Sequence, residues 1–173
     1  MQKLISFLSV AFFATILFTA CEPKEPSGST PTTDEGVVIN GVKWATRNVG
    51  STGTFVTNPQ DYGEYYTWEE AQSACPSGWR LPTETELRGL GEGTWTTKGR
   101  EFSTAPNKIF LPAAGCISII DFSLYDLGTG GYYWSNPENS FDGAYALNFD
   151  SGSTCGVFSY YKRHGFSVRC VKE

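Results

Sequence analysis

Residues 73–87, SACPSGWRLPTETEL, hold a cysteine, two prolines, a Trp-Arg pair and a helix-start signal. Thr83-Glu84-Thr85-Glu86 reads as a capping box, in which the Thr83 hydroxyl accepts from the Glu86 amide while the Glu86 carboxylate reaches back. The helix it opens brings Leu87 and Leu90 together, and Gly89, Gly91 and Gly93 weaken and end it. Just upstream, Thr67-Trp68-Glu69-Glu70 is another capping box. It starts a helix of about two turns with Trp68, Ala71 and Cys75 on one side, stopped by Pro76. Between the helices, Pro76-Ser77-Gly78 makes a turn, and Trp79–Pro82 forms an extended link that plugs Trp79 and Leu81 into a core. The stretch is a corner between two short helices, with Cys75 aimed inward.

Outward from this corner the chain reads as strands. Val37–Ile39, Lys43–Ala45, Ile109–Leu111, Tyr132–Trp134, Tyr145–Phe149, Gly156–Tyr161 and Phe166–Val171 are short apolar runs broken by turn signals. Asn40-Gly41 is a two-residue hairpin turn joining the first pair. Tyr145, Leu147 and Phe149 alternate with smaller or polar residues, as a half-buried strand requires. Phe166, Val168 and Cys170 share one face, with Ser167 and Arg169 on the other. These elements predict an α+β domain over residues 36–173, loop-rich, with two short helices packed on small antiparallel sheets.

The first twenty residues carry one charge, Lys3, followed by an apolar run from Leu4 to Phe18 and small residues before Cys21. This is the pattern of a secretory signal. Phe18-Thr19-Ala20-Cys21 resembles a bacterial lipobox, which makes Cys21 the expected site of lipid attachment and places the protein at the outer membrane, facing the cell surface or the periplasm. Residues 21–35 then form a tether rich in proline and hydroxyl residues, without an apolar side chain large enough to order it. Loss of residues 1–20 takes away Lys3 and turns the formal charge of −5 into −6. An acidic chain without a clustered Lys/Arg stripe argues against nucleic acid as a partner.

Cys75, Cys116, Cys155 and Cys170 remain in the domain. An even number in an exported chain favours disulfides, and four cysteines allow three connectivities. Joining Cys75 to Cys170 closes a loop over most of the domain and leaves Cys116 for Cys155, with no free thiol. Zinc is disfavoured by the lack of a CxxC pair and by a single histidine, His164.

Taken in order, GVKWATRNVG, DYGEYYTWEEAQSACPSGWRLPTETEL, IFLPAAG, GYYWSN and FSVRCV resemble the Fibrobacter succinogenes major paralogous domain. That domain is common in exported proteins and lipoproteins of Bacteroidetes-like bacteria. The resemblance covers Val42 to Val171. It implies a C-type lectin-like fold, shared with formylglycine-generating domains, and a disulfide from the first helix to the last strand, which here means Cys75 with Cys170.

A fold does not specify a function, and each site is weighed on its own residues. Catalysis has little to draw on. His164 sits in a turn beside Gly165 and reads as solvent-facing, no GxSxG, HExxH or phosphate loop is present, and the four cysteines read as structural. Binding has more. Trp134, Asn136, Glu138 and Asn139, followed by Asn148 and Asp150, loosely resemble the calcium and sugar ligands of C-type lectins. No cofactor is otherwise indicated, and these oxygen-rich groups would suit Ca²⁺. Asp121, Asp126 and Asp142 are further oxygen donors. Tyr62, Tyr65, Tyr66, Trp95, Tyr132, Tyr133, Tyr160 and Tyr161 are candidate rings for stacking on a sugar, although most must fill the core. In Tyr132-Tyr133 and Tyr160-Tyr161 one ring of each pair faces each side of its strand. Arg47, Arg80 and Arg169 are expected to buttress the core. The sequence thus predicts a non-catalytic, lectin-like module for a glycan or another surface ligand, or alternatively an assembly component of an envelope complex.

Overall fold

A computed structural model describes residues 33–173. The signal segment, Cys21 and most of the tether lie outside the described residues. The folded domain begins slightly earlier than expected, at Asp34. Its carboxylate accepts hydrogen bonds from the Gly36 and Thr46 amides (2.8 and 3.1 Å), from the Thr46 hydroxyl and from Arg47 Nε (3.0 Å). Burial pushes the pKa of this group up, but the Thr46, Gly36 and Arg47 donors prevail and hold it below the usual carboxylate range.

The chain opens with β1 (Val37–Ile39) and β2 (Val42–Trp44), paired antiparallel across Asn40 and Gly41. Both turn residues have positive φ, +48° and +83°, as the tight hairpin turn demands. The two capping boxes form as expected, on α1 (Trp68–Ala71) and α2 (Glu84–Arg88). Between the helices lies β3 (Trp79–Arg80), which buries Trp79, and Leu81 follows it into the core. Helix α1 is shorter than the two turns predicted. Beyond Ala71 the backbone tightens, with Ser73 and Ala74 N–H donating to Glu70 and Ala71 carbonyls three residues back.

Then come β4 (Thr94–Thr96), β5 (Gly99–Thr104) and β6 (Asn107–Pro112), a meander in which Phe102, Ile109 and Leu111 point inward. A small hairpin of β7 (Cys116–Ile117) and β8 (Leu124–Tyr125) follows. The sheet with the longest strands is β9 (Gly130–Glu138), β10 (Gly143–Asp150) and β11 (Cys155–Tyr161), with β10 in the middle. The last strand, β12 (Val171–Lys172), inserts between β2 and β3. The result is an α+β domain of small antiparallel sheets with two short helices.

The segment 166–171 is not the continuous strand that its alternation suggests. Both of its faces are buried, and its backbone bonds go to several different segments. Phe166 exchanges hydrogen bonds with Tyr66, Ser167 bonds to Tyr132 and Trp134, Val168 receives Val49 N–H, and Cys170 receives Ala45 N–H. Arg169, predicted to buttress the core, is fully buried. Its guanidinium donates to Asn48 Oδ1 (2.9 and 2.8 Å), Ala45 O (3.0 Å) and Phe110 O (3.1 Å). Asn48 is held in turn by the Tyr62 carbonyl, and Tyr133 Oη donates to Pro112 O at 2.7 Å. No carboxylate pairs with Arg169 among the described residues, and burial brings its pKa down to about 10.

Cys75 and Cys170 are bridged, with Cα atoms 6.0 Å apart and 95 residues of separation. The expected Cys116–Cys155 bridge is not formed, and both are free thiols. Cys116 packs against the cluster built on Trp134 and Phe166, whereas Cys155 packs against the separate cluster of Trp44, Tyr133 and Phe149. Gly115, Gly131, Phe149 and Cys155 stand opposite one another on successive strands, so Cys116 and Cys155 lie about 14 Å apart across the ladder, beyond disulfide reach.

Reducing Cys75–Cys170 is expected to cost about 4 to 5 kcal/mol of stability by loop-closure entropy, read as a shift in the urea midpoint with and without reductant. Arg169→Met strips donors from three buried acceptors at once and is expected to cost about 3 to 5 kcal/mol in the same assay. A change below about 1 kcal/mol would remove Arg169 from its central place.

Candidate functional site

The six residues singled out as a lectin-type site do not converge. Trp134 is a core residue, stacked on Phe166 with ring centroids 4.3 Å apart, and its Nε1 donates to Tyr66 O at 2.7 Å. Asn136 is exposed and its amide N–H donates to Pro82 O. Asn139 closes the β9–β10 turn through Gly143 O and donates its side-chain amide to Ser159 Oγ at 2.8 Å. Glu138 sits opposite Ala144, whereas Asn148 and Asp150 sit opposite Tyr132 and Gly130. The four residue steps from Ala144 to Asn148 span about 14 Å of strand. Asn148 donates to Gly131 O, and Asp150 organises the β10–β11 turn by accepting from the Gly152 and Thr154 amides. Hydrogen bonds from Thr154 and Gly152 hold the Asp150 carboxyl below its usual range. Among the described residues, no three His, Cys, Asp or Glu side chains gather as a metal group.

Glu138 instead belongs to a groove of about 700 Å³ at the other end of that sheet. Lys162 builds it. The Lys162 N–H donates to Asp142 O (2.9 Å), and its carbonyl accepts from Trp68 N–H (2.8 Å). Its ammonium pairs with Glu138 and lies 4.7 Å from the Trp68 ring centroid. One buried lysine thereby fixes α1, the end of β9 and the start of β10 against the end of β11, and its charge is answered by a carboxylate and an aromatic face.

Around this frame the side chains face water. Phe141 is 92% exposed and Tyr161 62% exposed, and both line the groove with Ile119. Glu69, Asp142 and Arg163 also reach it, and none of the three has an ion-pair partner among the described residues. Asp142 and Tyr161 line a second recess as well, of about 520 Å³, whose other walls include Ser140, Ser159, Tyr160 and His164. Exposed rings beside unpaired carboxylates can stack on a flat apolar face and accept hydrogen bonds from its polar edge.

Of the Tyr-Tyr pairs, Tyr133 is buried, whereas Tyr132 is half-buried with its hydroxyl on Asp126 at 2.7 Å. Tyr160 packs edge-on to Tyr132 and Phe166, leaving Tyr161 as the ring that faces out. Tyr66 is buried, and Tyr62, Tyr65 and Trp95 are partly so. His164 is not the solvent-facing turn residue anticipated. Its ring stacks on Phe166 at 5.5 Å, and its Nδ1 is buried without a hydrogen-bond partner. Phe141 was missed by sequence reasoning, although its signal was present: a large apolar residue in the polar turn Asn139-Ser140-Phe141-Asp142-Gly143.

Comparison with protein-family models, with curated proteins and with solved structures finds no match to this chain.

The two free thiols supply a chemical check. Burial pushes Cys116 up to about 11, with the Asp126 charge adding to the effect, and burial also raises Cys155. A raised thiol pKa leaves little thiolate at neutral pH. Alkylation of folded Cys116 is expected to be slow at pH 7 and to accelerate about tenfold per pH unit toward its pKa. Unfolding without reductant should expose two thiols per domain beyond Cys21. Peptide mapping that found a Cys116–Cys155 bridge would overturn the separation of the two sites.

Proposed function

We propose that this chain is an exported, lipid-anchored protein of the bacterial outer membrane whose C-type lectin-like domain binds a glycan or another surface ligand without chemistry. The domain would be of the Fibrobacter succinogenes major paralogous kind, as the CPSGWRLPT and VRCV motifs suggest. The observation that carries the reading is the groove beside Lys162, where exposed Phe141 and Tyr161 stand next to the unpaired carboxylates of Glu69 and Asp142. A non-catalytic role is supported by the thiols. Formylglycine-generating relatives use a reactive cysteine pair, whereas Cys116 and Cys155 pack on separate clusters and burial raises both. Nucleic acid fits poorly with an acidic chain.

An assembly role is the second reading, favoured by the β7–β8 hairpin. Its tip presents Ile120, 88% exposed, and Phe122, 79% exposed, next to the groove wall at Ile119. Adjacent exposed apolar side chains of this kind mark protein contacts.

A glycan array probed with the mature protein, once in Ca²⁺ and once with chelator, separates these readings. Binding is expected to survive chelation, since the oxygen donors around Asn136 and Asn148 do not converge, and to weaken about tenfold or more in Tyr161→Ala. Binding abolished by chelator would return the site to the Asn136–Asn139 loop. Silence in both conditions, with a fixed partner trapped by crosslinking and released by Phe122→Ser, would favour assembly.

A further inference from the structure

The groove and its neighbouring recess share one ridge, formed by Tyr161 and Asp142. Their volumes, about 700 and 520 Å³, each lie in the range of about 300 to 1,000 Å³ that small-molecule sites occupy. Their chemistry differs. The larger recess offers Phe141 and the charged groups Glu69 and Arg163, whereas the smaller one offers the hydroxyls of Ser140 and Ser159 and the Tyr160 ring.

The wall of the smaller recess packs tightly on residue 143, which has no side chain. A Cβ at Gly143 would lie 2.7 Å from Asn139 Oδ1, 2.7 Å from Ser140 Oγ and 3.1 Å from Ser159 Oγ. Gly143 has no need of a positive φ there, so space rather than backbone conformation requires the glycine. The charges select as well. Of the unpaired charges two are carboxylates, Glu69 and Asp142, which accept hydrogen bonds from hydroxyls and repel anionic groups, against one cation, Arg163, so the balance is acidic, as in the chain overall.

From these features we infer that the ligand is a neutral oligosaccharide chain that crosses Tyr161 and places successive sugar units in the two recesses. This rests on the glycan reading of the groove and adds length and charge to it. Tyr161 supplies the face on which the chain stacks, and Asp142 accepts hydroxyls from the units on either side. A single sugar fills one recess only, and a uronic-acid chain meets Glu69 and Asp142.

The test uses the mature protein and homologous neutral series of one to six units of glucose, mannose and N-acetylglucosamine, with an oligo-uronate series as the charged control. Affinity is expected to rise about tenfold or more between one unit and three in the series that binds, and to level off beyond the span of the two recesses. Gly143→Ala displaces the Ser140 and Ser159 side chains that wall the smaller recess, and Glu69→Gln weakens the larger. Each should reduce the gain from length, while Tyr161→Ala lowers affinity for every length. Should Gly143→Ala fail to fold, Ser140→Ala with Ser159→Ala removes the hydroxyls of the same recess. Affinity that does not change with length, or uronates that bind as tightly as neutral chains, would overturn this inference and leave the glycan reading standing. Silence across every series would sink the glycan reading itself and this inference with it.

Discussion

The structure depends on a cation buried without an anion. Arg169 is surrounded by carbonyls and the Asn48 amide, and the hydrogen bonds it donates reach three parts of the chain: the end of β2, the loop after it, and β6. Charge burial is costly, and the guanidinium tolerates it because its planar fork meets several acceptors together. Its flanking residues work in the same direction. Cys170 is bonded to Cys75 beyond α1, and Val168 receives Val49. Strand β1 also packs directly on β5 and β6, and the segment from Phe166 to Val171 ties these sheets to the β9–β11 sheet.

Where local chemistry decides the structure, the sequence is legible. The two capping boxes, the Asn40-Gly41 turn and the burial of Trp79 and Leu81 follow from a few adjacent residues. Strands β4 and β5 were not legible, because Gly93, Gly99, Arg100 and Glu101 interrupt their apolar pattern. Arg100 is nevertheless buried, answered by the carbonyls of Glu92, Asp150 and Gly152, which only the tertiary fold brings near. The Cys116 and Cys155 pairing failed for a related reason. Counting cysteines conveys how many thiols there are, but not which core each one enters.

The candidate site was half legible for the same physical reason. Tyr161 and Glu138 were among the residues chosen in advance, but Asn148 and Asp150 are carried by the same sheet to its far end. Strand register determines such separations, and register is a property of the paired chain rather than of either strand. Lys162 had no signal of its own. Its value comes from the Trp68 ring and the Glu138 carboxylate, which lie far from it in sequence. An exposed surface held by so firmly fixed a residue is suited to recognition, where the side chains must be in place before a ligand arrives.

The inward course of the last residues bears on how the protein is made. The corner after α1 and the second edge of β2 find their partners only at positions 166 to 172. During synthesis every chain that ends before Phe166 lacks the piece on which both clusters and the bridge depend. Contacts of such long sequence separation form slowly and late. Until residues 166–172 have been made, the growing polypeptide therefore lacks the contacts that close its core.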